Sequence, residues 1–104
     1  MKNNYAVQLV MKKQAEFVSW QRFIRQLSAD IAEITLNRVF GIGTERMVRF
    51  ADEYAKLYTE VITAWNQDDS GREYTKDLVD RGLKQIFGDS FIPWEERYDF
   101  KIPR

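Results

Sequence analysis

The chain has no cysteine and no histidine, and neither a glycine nor a proline occurs before residue 41. Without cysteine there is no disulfide framework and no thiolate nucleophile. Without histidine the commonest general base and the commonest metal ligand are both missing, and zinc sites of ordinary ligand type are excluded with them. The late onset of glycine and proline leaves the first forty residues with no strong helix breaker. Long apolar runs are also lacking. The opening Met1-Lys2-Asn3-Asn4-Tyr5 is polar, which argues against a signal peptide or a membrane span and for a cytoplasmic location.

What is present points to a single globular domain, residues 1–104. Hydrophobic residues make up 44% and aromatics 14%, too much apolar surface for a disordered tail. The 16 basic and 16 acidic residues cancel, yet they are unevenly placed. Residues 1–49 hold eight basic and four acidic residues, net +4; residues 50–104 hold eight and twelve, net −4. Such a split suits an anionic partner at one end, or mutual attraction of the two halves.

The apolar spacing predicts an all-α fold, a small helical bundle. Phe17, Trp20, Ile24, Leu27, Ile31 and Ile34 step by three and four residues, a heptad-like seam expected to be buried. They lie on one long helix over about residues 4–40, or on a helix pair broken near Ser28-Ala29-Asp30, where Asp30 and Glu33 have capping-box spacing. A short strand over residues 5–11 is a weaker alternative, since no other segment offers a clear pairing strand. A glycine turn at Gly41-Ile42-Gly43 follows. A second long helix starts at Thr44, a suitable N-cap, and carries Met47, Phe50, Tyr54, Leu57, Val61 and Trp65 on one face. Asn66 to Gly71 reads as a loop, and Ser70 with Glu73 as the capping box of a shorter third helix ending at Gly88. Gly82 sits inside that helix, where it costs roughly 1 kcal/mol relative to alanine, and a close helix contact is one reason to keep a glycine there. Pro93 opens a last short turn of helix before an extended tail.

No catalytic residue, cofactor or metal site is expected. Asp68, Asp69, Glu73, Asp77 and Asp80 could be taken for a divalent-metal or acid–base cluster. Nearby Lys76, Arg81 and Lys84, and the capping role of Ser70 and Glu73, favour a solvated helix face instead. A hydrolase running on carboxylates would need a nucleophile–base pair, and none is visible. The reading is therefore a non-enzymatic binding protein.

The Gly41-Ile42-Gly43 turn carries the clearest functional signal. Leu36 and Val39 precede it at five and two positions, and Met47 and Phe50 follow. This resembles the helix-hairpin-helix element, in which a Gly-hydrophobic-Gly loop offers backbone N–H groups to a nucleic-acid phosphate. The resemblance covers about fifteen residues. It implies a phosphate site at Gly41, Ile42, Gly43 and Thr44, with Arg38, Arg46 and Arg49 as the nearby cations. Two positions depart from the usual pattern: Met47 stands where a small residue is common, and Glu45 where lysine would serve a phosphate better.

A second resemblance, over about residues 31–87, is to small prophage proteins of Gram-positive bacteria. It rests on Leu36, Phe40, Gly41, Gly43 and Arg46, with Thr44 and Glu45 in place of two lysines. It implies a phage context and a macromolecular partner. The leading expectation is association with DNA or a DNA-handling complex through the turn and the basic N-terminal half. The alternative is a protein-only module, such as an inhibitor of a host defence (anti-CRISPR-like) or replication protein. That module would act through exposed aromatics, with Tyr58, Phe91 and Trp94 as the candidates. The seam on the first helix has two ways to be satisfied, within the chain or in a homodimer.

Overall fold

The computed structural model describes residues 2–102 and is all-α. Four α-helices follow one another, α1 Lys2–Phe40, α2 Thr44–Gln67, α3 Asp69–Phe87 and α4 Trp94–Arg97. A 3-10 turn at Gly88–Ser90 lies between the last two, and there is no strand among the described residues. The strand alternative for residues 5–11 is thus helix. The chain divides into two compact units, residues 1–54 and 55–104, with the boundary inside α2.

The N-terminal unit is α1, the glycine turn and the first turns of α2. α1 runs without interruption for 39 residues, about 58 Å at 1.5 Å per residue. The break considered at Ser28-Ala29-Asp30 does not occur. Asp30 caps nothing there, because its carboxylate accepts from Gln26 Nε2 at 2.8 Å, one helical turn back. The heptad seam is formed, but its burial is not: Phe17 and Trp20 are 59% and 62% exposed, and Ile24, Leu27, Ile31 and Ile34 are also exposed. Periodicity establishes that these side chains share a face; it carries no information about what lies against that face.

The C-terminal unit, residues 55–104, is a small helical bundle of the second part of α2, α3 and α4. α3 starts at Asp69 with Asp68 as its N-cap, whose carboxylate accepts from Gly71 N–H at 2.8 Å. The expected Ser70–Glu73 box is replaced by this simpler cap, one residue before the helix. Gly88 ends α3 as expected, with φ +57° and its N–H donated to the Lys84 carbonyl.

α3 meets α2 through small side chains. Thr75 is 2% exposed, with its hydroxyl 2.9 Å from the Gly71 carbonyl and 3.3 Å from that of Val61 on α2. A Cβ on Gly71 would lie 1.9 Å from the Ala64 carbonyl oxygen, so the close-contact glycine is Gly71. Gly82, a candidate for that role on the sequence, is exposed and has open space where a Cβ would be. At the rim of the contact, Tyr74 donates its hydroxyl to Glu60 at 2.8 Å.

Among the described residues of this unit, Trp94 is the buried hydrophobic one, at 7% exposure. It stacks on Trp65 of α2 at 5.9 Å and on Tyr98 at 3.9 Å between ring centroids. Its backbone N–H is accepted by Asp80 of α3 at 3.2 Å, and the same carboxylate pairs with Arg97 at 2.9 Å. This tie satisfies one of the free N–H groups at the start of α4 and holds the short helix onto α3.

A candidate phosphate-facing turn and a separate aromatic cleft

The turn is built by one obligatory glycine and one optional one. Gly41 has φ +66°, the left-handed conformation in which a Cβ is strained, and its N–H closes the last turn of α1 on the Asn37 carbonyl at 2.8 Å. Asn37 also holds the loop: its side-chain amide donates to the Ile42 carbonyl at 2.9 Å. Sequence reasoning passed over Asn37, although a polar amide one turn before a helix-ending glycine is the available signal. Ile42 tucks in half-buried, as do Leu36, Met47 and Phe50, while Val39 stays 64% exposed.

Gly43 is different. Its φ is not left-handed, and a Cβ there would meet nothing within 4 Å. Its carbonyl accepts the first bond of α2, from Met47 N–H at 2.9 Å, so Gly43 is the N-cap and Thr44, expected in that role, is the first helical residue. Serine, threonine, asparagine or aspartate would cap better by supplying a side-chain acceptor. Instead the N–H groups of Thr44, Glu45 and Arg46 precede the first intrahelical bond and have no acceptor among the described residues.

The cations around the turn are also uncommitted. Arg38, Arg46 and Arg49 are exposed and form no ion pair among the described residues. In the C-terminal unit the pattern reverses, since Arg72 pairs with Asp69, Lys76 with Glu73 and Glu95, Arg81 with Asp77 and Arg97 with Asp80. The five carboxylates weighed as a metal cluster are accordingly a helix cap and four ion-pair partners. No group of three or more metal-ligating side chains is assembled among the described residues.

The expected aromatic candidates fall in different settings. Trp94, a candidate for exposure on the sequence, is instead buried in the C-terminal unit, where Trp65 and Tyr98 both stack against its ring. Tyr58 and Phe91 are half-buried, and the Arg97 guanidinium lies 5.8 Å from the Phe91 ring. What residue-by-residue reasoning missed is a cleft of about 730 Å³ within the C-terminal unit. Trp65, Trp94, Tyr98 and Phe100 supply its aromatic wall, and Arg72, Lys76 and Lys101 face Asp69, Glu73 and Glu95 around it. The spacing of Trp94, Tyr98 and Phe100 was visible in the sequence, but their convergence with Trp65 depends on α4 folding back onto α3.

No helix among the described residues is long and apolar enough to cross a membrane. No protein-family model, curated protein or solved structure matches the chain.

Proposed function

We propose that this chain is a non-enzymatic, phage-type binding protein that associates with DNA or a DNA-handling complex through the Gly41–Gly43 turn. The observation that carries the reading is Gly43, a glycine that neither backbone conformation nor packing requires. A bare backbone at a helix start lets an oxygen approach three free N–H groups, and the positive end of the α2 dipole favours that oxygen being anionic. Arg38, Arg46 and Arg49 add cations that form no ion pair among the described residues. Glu45 opposes them, so the affinity expected is modest and independent of base sequence, as phosphate contacts are.

The test is fluorescence anisotropy with a labelled duplex at low salt. If three phosphates are neutralised, the slope of log affinity against log salt is about −2.7, or about a 40-fold loss between roughly 50 and 200 mM. Gly43→Val puts a branched side chain over the N–H groups, and Arg46→Glu reverses one cation and lowers the slope by about 1. Both should weaken binding while the helical circular dichroism spectrum is retained. Absence of binding at roughly 50 mM salt and micromolar protein rejects the DNA reading.

The C-terminal cleft supports a second reading, a protein-only module. Its aromatic wall and balanced charges suit a peptide segment better than a polyanion. Phe100, 60% exposed beside the cleft, is the residue to truncate in that case, because Trp94→Ala would remove the core instead. Loss of a co-purifying protein on Phe100→Ala, with the helical spectrum unchanged, is the expected result.

A further inference from the structure

The largest feature left unused is the apolar face of α1. Phe17, Trp20, Ile24, Leu27, Ile31 and Ile34 form an unbroken seam, and nothing in the N-terminal unit covers it. We propose that α1 pairs with α1 of a second copy of this chain as an antiparallel two-helix coiled coil. Phe17 then packs against the partner's Ile34, Trp20 against the partner's Ile31, and Ile24 against the partner's Leu27.

Three observations select this occupant. The first is self-complementarity. Read in opposite directions, the six positions place each large aromatic opposite a smaller aliphatic, so the layers have similar volumes. A parallel pair would set Trp20 against its own copy and Phe17 against its own, next to thin aliphatic layers, which two evenly spaced helices pack poorly.

Register is the second. Lys13 and Arg38 occupy the next core positions on either side; in this register Lys13 lies opposite the partner's Arg38 at each end of the seam, where both long side chains reach water. Sliding the antiparallel pair by one heptad in either direction buries Lys13 against an isoleucine or Arg38 against a tryptophan, an uncompensated charge in an apolar layer. The flanking positions Gln14, Gln21, Ser28 and Thr35 are uncharged, so that edge adds no charge repulsion in any register.

The third is area. With the six side chains 40–62% exposed, covering them removes about 600 Å² per chain and about 1,200 Å² per pair, the lower end of what specific, stable interfaces bury. Trp20 and Phe23, stacked at 5.6 Å, bring a rigid aromatic anchor to the edge of that surface.

Light scattering on the intact chain tests the pairing, and the absence of cysteine makes its geometry testable as well. The expected mass is twice 12.4 kDa at micromolar concentration. Ile24→Glu, which places a carboxylate in the central layer, should halve it. Two single variants that leave the seam intact, Gln21→Cys and Ser28→Cys, lie across from each other only in the antiparallel register. Mixed and mildly oxidised, they should form a disulfide-linked dimer that neither forms alone. A monomeric wild-type mass overturns the proposal and assigns the seam to a partner within the chain. A dimer that survives Ile24→Glu, or one in which the mixture cross-links no more than the separate variants, overturns it as well.

Discussion

Replacing Gly71 and Gly82 by alanine, one at a time, should change stability in opposite directions although both glycines lie in α3. At Gly71 the new methyl would sit 1.9 Å from the Ala64 carbonyl oxygen and 2.9 Å from its carbon. Those atoms are backbone and cannot rotate away. Restoring even a tight contact of about 3 Å means moving α3 from α2 by roughly 1 Å, an overpacking cost of about 1–3 kcal/mol. The shift also stretches the Thr75–Val61 contact, already 3.3 Å and worth about 0.5–1.5 kcal/mol when intact, and pulls on the Tyr74–Glu60 bond at the rim. The expected total, about 2–4 kcal/mol, lowers the melting temperature by roughly 10 °C or more for a domain of this size. Gly82 has open space at the same atom and no left-handed φ. There alanine removes backbone freedom from the unfolded chain and should stabilise by about 0.5–1 kcal/mol. Thermal and urea unfolding followed by far-UV circular dichroism and by tryptophan fluorescence measures both, since Trp65 and Trp94 report on this unit. A neutral Gly71→Ala, or a Gly82→Ala that destabilises as much as Gly71→Ala, would refute the α2–α3 packing described here.

Two further outcomes follow from the same unit. Asp68→Ala removes the side chain that caps α3 and should cost about 0.5–2 kcal/mol in urea unfolding, with Asp68→Asn recovering most of it. Tyr74 donates a hydrogen bond to the Glu60 carboxylate, whose charge also disfavours the phenolate, so Tyr74 titrates above a tyrosine's ordinary value. The folded state therefore holds this proton more tightly than the unfolded one. The stabilisation is complete below the ordinary tyrosine value and is lost as pH rises through the raised one. Urea midpoints at about pH 8 and about pH 11 should differ more in the native chain than in Tyr74→Phe, and equal differences would remove Tyr74 as the cause.

The turn between α1 and α2 could be read from Gly41 and Gly43 because a glycine pair between two apolar periodicities marks a helix end and a helix start. Its chemistry was less legible. That Gly41 is required by its φ while Gly43 is not emerges only from backbone angles and surrounding space, and the cap shifts from Thr44 to Gly43 with it. Asn37 was missed because its bond to the Ile42 carbonyl crosses the turn, and a five-residue separation has no helical period. Likewise, Gly71 looked like loop material and Gly82 like a packing glycine, since a residue's neighbours along the chain do not reveal which helix approaches it. Trp94 looked like a surface candidate for the same reason. Its burial depends on α4 being held by Asp80, fourteen residues away.

Local interactions in the sequence determined the helical elements: forty residues without a breaker give α1, Gly41 ends it, Asp68 starts α3 and Gly88 stops it. These effects act within one or two turns, so a single chain segment contains all their causes. Burial, pairing of charges and convergence of rings depend on contacts between segments far apart in the chain. The tertiary structure therefore decided that Gly71 is the tight glycine, that Asp80 joins α3 to α4, and that Trp65, Trp94, Tyr98 and Phe100 wall one cleft. It also left the α1 seam exposed, because periodicity selects a face and only a neighbouring surface can bury it.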